Sequence, residues 1–347
     1  MWLLTGLALF AAVIVWAGPA ETLNALAQSC RHPGLLAAAL ALFATTQAVF
    51  LLKWHYMSWC VGARAGPRQS LRLFGTLMLV GTFTPGRAGE LAVPLLMRGG
   101  GRLTGVAIVN RLLESTGTLC AGMLAAMLLL GGDPRAGGLW QVGIVLAVFV
   151  AILVVLSRRR YTAAALVVAK ACLRPMAGLK PVAWLLAKEE QCAGGLDHFY
   201  DANERLLRPA PIVIFGAMMV LIWLLMVWGN QILVQATVPP GGKEATFLMV
   251  MAVVATSALA MSVSPIPGGL GLSEFTVVAL FGQLGYSPQA LVPYLVLMRV
   301  IFYGVVILLY VTGRAAGKDL PPPPNAAPVC QGGPGRLTPD AACGKKD

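Results

Sequence analysis

Charge is scarce in this chain. Only 12% of its 347 residues are Asp, Glu, Lys or Arg, while 58% are hydrophobic. Soluble globular domains carry about 25% charged residues. With a mean hydropathy of +0.76, the composition excludes an ordinary soluble fold and indicates an integral membrane protein. Acidic residues are the scarcer kind, 14 against 26 Lys and Arg, giving a formal net charge of +12. The basic residues sit in loops between apolar stretches, so the excess reads as membrane topology and not as nucleic-acid binding. Histidine is almost missing. His32, His55 and His198 lie far apart and form no HExxH. The seven cysteines, at positions 30, 60, 120, 172, 192, 330 and 343, form no CxxC pair and are odd in number. That argues against a disulfide framework and against a zinc site. No nucleotide loop and no Ser/His/Asp set is present. The sequence therefore offers no catalytic residue, no metal site and no cofactor site. Strict alternation of apolar and polar residues is also absent, which excludes a transmembrane barrel.

What the chain does have is long apolar runs. Six reach the roughly 20 residues that span a bilayer: about 2–19, 34–56, 104–130, 138–157, 211–236 and 288–312. The first lacks a basic n-region, so it reads as an uncleaved span rather than a signal peptide. Residues 158–208 form a polar stretch that opens with "SRRRY". Within it Leu196, Phe199, Tyr200, Leu206 and Leu207 fall near one helical face. That face either lies on the lipid surface or packs under the bundle. The tail from 314 to 347, rich in Pro and Gly and basic, reads as disordered. Most of the eight Trp read as interfacial anchors.

Two further apolar regions, 70–98 and 245–284, are interrupted by similar motifs, "GTFTPGRAGEL" (Gly81 to Leu91) and "SPIPGGLGLSEF" (Ser264 to Phe275). Each contains Pro-Gly, a second Gly three residues after the first, and then Glu. Topology decides how to read them. Lys53 to Arg72 carries Lys53, Arg64, Arg68 and Arg72 and no acid; residues 158–208 carry nine Lys and Arg; the tail carries Arg314, Lys318, Arg336, Lys345 and Lys346. All three belong in the cytoplasm by the positive-inside rule. They fall on one side only if 70–98 enters and leaves from the cytoplasm and 245–284 enters and leaves from outside. The expected fold is thus all-α and polytopic, with about six transmembrane helices and two oppositely oriented re-entrant helical hairpins, an inverted repeat of the kind found in secondary transporters. Both termini are cytoplasmic in this scheme. Kinked helices with packing glycines are the simpler alternative. The expected turn residues are Pro85, Gly86 and Gly89 in the first hairpin, and Pro267, Gly268, Gly269 and Gly271 in the second.

Six charged residues are expected at bilayer depth, where each costs about 2.5–3.5 kcal/mol. They are Arg87, Glu90, Arg111, Glu114, Glu274 and Arg299. Arg111 and Glu114 share a helix face with Asn110. Each half has a broken hairpin followed by a span with a buried Arg, Arg111 or Arg299. Internal ion pairing explains such residues, and so does a polar cavity for a charged headgroup. Half-helices starting after "TPG" and "GLS" would present free N–H groups to a phosphate. Arg can grip phosphate with two parallel hydrogen bonds, and Glu would meet an ammonium group or a proton.

The segments "TFTPGRAGELAVPLLMR", "NRLLEST" and "PIPGGLGLSEFTVVALFGQLGYSPQALVPYLVLMRVIFYG" resemble the transmembrane region of lysylphosphatidylglycerol synthases and their stand-alone bacterial relatives. The resemblance runs to about residue 313, which makes 1–313 a translocase-like membrane domain. It implies a bacterial inner-membrane protein whose family moves lipids, notably aminoacylated phosphatidylglycerol, between leaflets. Bifunctional members carry an aminoacyl-transferase domain after the membrane part. A short Pro-rich tail stands there in this chain, so the resemblance implies no synthase activity. Ala88 stands where the family often has Leu.

The resulting expectation is a lipid translocase and not an enzyme. Its substrate would be an anionic, zwitterionic or aminoacylated phospholipid, or a polyprenyl-linked lipid. The rival reading is an accessory protein that serves a separate lipid-modifying or glycosyl-transfer enzyme and moves nothing itself. A membrane-embedded transferase ranks last.

Overall fold

The computed structural model describes residues 32–63, 66–84, 87, 89–90, 100–129, 201–237, 245–264 and 266–316, besides isolated positions 15, 24, 27, 147 and 151. The expected spans 2–19 and 138–157, most of the loop 158–208 and nearly all of the tail lie outside these residues, as do Pro85, Gly86 and Ala88. Besides the helical residues 201–206, seven α-helices make up most of the described part: α1 (Pro33–Cys60), α2 (Pro67–Phe83), α3 (Gly100–Leu129), α4 (Pro209–Thr237), α5 (Phe247–Val263), α6 (Leu272–Gln283) and α7 (Pro288–Ala316). Four of them open on proline, which has no N–H to leave unpaired in a first turn. Thr246 caps α5 by accepting the Met249 N–H at 3.3 Å. Among the described residues, α1, α4 and α7 are each long and apolar enough to cross a membrane. They present leucines, valines and tryptophans outward, including Leu52, Trp59, Val220, Trp228, Val300 and Leu308. Such faces suit lipid, not water.

The packing pairs the helices in a definite pattern. The most extensive contacts join α1 to α4, α2 to α7, and α3 to α5. Exchange the first half (α1, α2, α3) with the second (α4, α5, α7), and the same three pairs return. Phe43 meets Gly229 while Tyr56 meets Phe215, so α1 and α4 run antiparallel. Gly75 lies against Leu309, and Gly313 against Leu71 and Arg72, so α2 and α7 run antiparallel as well. A Cβ at Gly75 would stand 2.7 Å from the Leu309 carbonyl oxygen, and one at Gly313 2.8 Å from the Arg72 Cα. Small residues at these crossings let the two backbones touch, a common device in membrane bundles.

Two apolar cores result. One gathers Trp54, Met57, Phe74, Leu77, Val106 and Phe215 around α2. The other gathers Phe43, Val227, Val250, Phe281, Leu291 and Tyr294 around α5 and α6. The long helices α1 and α4 serve both. In the second core the Tyr294 hydroxyl donates to Asn230 Oδ1 at 2.7 Å, tying α7 to α4. Buried hydroxyls seek such partners.

Helix does break at both motifs. α2 stops at Phe83, and Thr84 stitches the gap: it accepts the Gly89 N–H on Oγ1 at 2.8 Å and the Arg87 N–H on its carbonyl at 3.1 Å. Gly89 and Glu90 are helical again. α5 stops at Val263 and a 3₁₀ turn, Pro267–Gly269, leads to α6, which packs back against α5. Gly268, Gly269 and Gly271 have φ of 63°, 62° and 82°, a region that glycine enters without steric cost. The two breaks meet. A Cβ at Gly268 would touch the Thr82 carbonyl at 3.1 Å, and the Phe83 ring stacks on Tyr303.

Candidate functional site

The charged residues expected from the sequence gather at these breaks, in two groups of different character. The second group is closed. α6 begins at Leu272, and the Glu274 carboxylate turns back to accept the Gly271 N–H on Oε2 at 2.7 Å. That N–H is therefore taken by the protein itself, contrary to the free helix end expected for a phosphate. Ser273 Oγ donates to the same oxygen at 2.9 Å. Arg299, from α7, pairs through Nε with Glu274 Oε1 and donates through Nη2 to Ser273 Oγ. Its Nη1 reaches the Gly268 carbonyl at 3.2 Å, and the guanidinium lies over the Tyr303 ring. Glu274 is fully buried and Arg299 nearly so. Every nitrogen of this Arg has a partner, and the ion pair pins the turn to α7.

The first group is open. Glu114 of α3 stands among three cations. Lys53 Nζ lies 3.6 Å from Oε1, Arg87 Nη1 3.6 Å from Oε2, and Arg111 Nη1 3.8 Å from Oε2. These separations suit ion pairs but are long for charge-assisted hydrogen bonds, which run about 2.7–2.9 Å. Asn110 Nδ2 does donate to Glu114 Oε1, at 2.8 Å. Arg87 also pairs with Glu90, three residues on. Glu90 is held against Gly81, where a Cβ would collide with its side chain at 2.6 Å. Arg87 has φ 58°, the one positive value among described non-glycine residues. A side chain held there costs about 1–3 kcal/mol and is typical of working sites. Beside these groups lies a cavity of about 20 Å³, lined by Phe50, Trp54, Met78, Arg87, Asn110 and Glu114 among others. That is room for about one water molecule.

One residue corrects the sequence reading. Lys53 is not a cytoplasmic loop charge. α1 continues past it to Cys60, and the side chain turns inward with no exposed surface. It lies over the Phe50 ring, donates to Met219 Sδ at 3.0 Å and faces Glu114. A carboxylate partner is what makes so deep a lysine tolerable. Its neighbour Trp54 is only 4% exposed, an exception among tryptophans of which most read as interfacial anchors. The one available signal was position: Lys53 sits inside an apolar run that goes on through Trp59.

The family model described as "Lysylphosphatidylglycerol synthase TM region" matches residues 3–309. The chain belongs to this family. It is accordingly a multi-pass membrane protein with a lipid-related role, as the resemblance of its motifs implied. No curated protein and no solved structure matches the chain. The family match covers both broken motifs and all six expected charges.

Proposed function

We propose that this lysylphosphatidylglycerol synthase family member is a lipid translocase of the bacterial inner membrane. It carries a charged headgroup through the protein between the two broken hairpins while the acyl chains stay in lipid. The single observation that carries the reading is the cation-rich cluster around Glu114. Three basic side chains share one carboxylate at 3.6–3.8 Å beside a cavity at a helix break. Buried charges that merely lock a fold are drawn tight, as Glu274 and Arg299 are. Loosely shared ones can exchange partners with a ligand. In this reading Arg87, Glu90, Arg111 and Glu114 meet the headgroup. Glu274 and Arg299 hold the second hairpin tip past which it moves. The swap-symmetric helix pairs and the meeting of the two breaks support an inverted repeat with re-entrant hairpins, and hence access from either side in turn.

Leaflet exchange by the purified protein in liposomes tests this, across a panel of anionic, zwitterionic and aminoacylated lipids. Headgroup-dependent exchange by the protein alone is the expected outcome. No exchange of any lipid would favour the alternative, an accessory role beside a lipid-modifying enzyme. The tightly closed Glu274–Arg299 pair is the feature that suits that alternative.

A further inference from the structure

Lys53 is the one cation of the first group that can part with its proton. Arginine keeps its own in proteins, whereas a buried lysine amine can exchange one with its surroundings. Three basic residues, Lys53, Arg87 and Arg111, face two carboxylates, Glu90 and Glu114. One positive charge is in excess, and a neutral Lys53 removes the excess. Among the described residues, the charges acting on Lys53 are Glu114 on α3, 3.6 Å away, and Arg87 and Glu90 just past α2. Its contacts with the Phe50 ring and, on α4, with Met219 Sδ are to uncharged groups. A path leads on from Glu114. Glu114 and Glu90 line one small cavity, together with Trp54 and Asn110. Trp54 Nε1 and Asn110 Oδ1 are buried there without a hydrogen-bond partner among the described residues. A donor and an acceptor left over, in about 20 Å³, match a single water, which makes about three hydrogen bonds. Such a water accepts from Trp54, donates to Asn110 and keeps one proton for a carboxylate.

We propose that Lys53 is a proton-carrying site, loaded and emptied through Glu114, one water and Glu90, and that its proton drives the movement of lipid. This rests on the translocase reading above and supplies its source of energy. In the unloading step an N–H bond of the Lys53 ammonium breaks, its electron pair stays on nitrogen, and an O–H bond forms on Glu114. Both charges of the pair vanish together. The water takes that proton from Glu114 and passes one of its own to Glu90. The Glu90 side chain is 12% exposed, and from there the proton leaves to solvent. Reloading reverses these steps. The proton also sets how the break after α2 is held. Protonated Lys53 competes with Arg87 and Arg111 for Glu114; neutral Lys53 leaves Glu114 to the two arginines and ties the break to α3. The second group has no such site among the described residues, because the cation that meets Glu274 is an arginine.

The test uses the full-length protein in liposomes of phosphatidylglycerol and phosphatidylethanolamine, with a trapped pH dye and the membrane voltage clamped. A gradient of one pH unit should concentrate the transported lipid in one leaflet by about tenfold for each proton carried, and protons should cross in step with it. Lys53→Met, close in shape and uncharged, and Lys53→Arg, fixed in charge, should each lose the gradient-driven accumulation and the proton flux. Lys53→Met should also melt no lower than wild type, since the remaining charges balance. A lowered melt would mark Lys53 as a fixed structural charge and overturn the inference. So would a wild-type gradient response in either folded variant, or a wild type that passes no protons. If that wild type still exchanges lipid, the proton site falls and translocation stands. If protons cross the wild type and stop in Lys53→Met while no lipid moves in either, translocation falls and the site stands.

Discussion

Glu274 is shut away from solvent with one cation, Arg299, beside it. Removing that cation by Arg299→Met should cost about 3–5 kcal/mol, because a buried carboxylate is left without compensation. The double variant Arg299→Met with Glu274→Gln should recover much of the loss. Thermal unfolding in detergent measures both, and a double variant no more stable than the single would refute the pairing. Arg111 differs. It is partly exposed and 3.8 Å from Glu114. Arg111→Lys keeps the charge and loses the two-pronged donor. It should fold normally and move lipid poorly. Wild-type transport at matched protein level would reject a phosphate grip by Arg111. Along the chain the two arginines hold equivalent places, each on the helix after a break. Their roles diverge because Ser273 and the Gly268 carbonyl close around one, while Lys53 and Arg87 compete with the other for Glu114.

The α2–α7 crossing is the tightest test among the elements. Gly75→Val and Gly313→Val would each drive a branched side chain into backbone less than 3 Å away. Backbone cannot give as a side-chain tip can, so each should cost about 3 kcal/mol or more and lower the yield of folded protein. Gly282→Ala, with nothing within 4 Å of its Cβ, should leave the yield unchanged. Equal yields from all three would mean that α2 and α7 are further apart. The helices themselves were largely legible. The runs at 34–56, 104–130, 211–236 and 288–312 became α1, α3, α4 and α7 with ends moved by at most a few residues. Both breaks were legible from Pro and Gly, since few other residues disrupt a helix there. The pairing of helices was not, because hydropathy marks which residues avoid water and says nothing about which helix they touch. Lys53 was missed for the same reason. Its partners Glu114 and Met219 are distant in sequence, and a lysine near the end of a run looks alike whether it turns out to water or in to a carboxylate.

For the whole molecule the distribution of basic residues sets which side each part faces. Basic segments gather on one side only if the first broken region opens to the cytoplasm and the second to the outside. The antiparallel runs of α1 with α4 and of α2 with α7 agree with that scheme. On a Cys-free background, Gly100→Cys should label only from the cytoplasm and Ser287→Cys only from outside. Labelling of residue 100 from outside alone would reverse the first hairpin. The backbone contact at Gly75 and Gly313 then bears on movement. Two helices that touch through their main chains can neither slide nor part, so α2 and α7 form a single strut. In the proposed translocase, any opening that admits a lipid leaves that strut whole. Just past the end of α2, Arg87 meets Glu114 of α3 in a long 3.6 Å ion pair and not a close hydrogen bond. In the proposed translocase this pair would serve as a latch, long enough for a competing anion to lift.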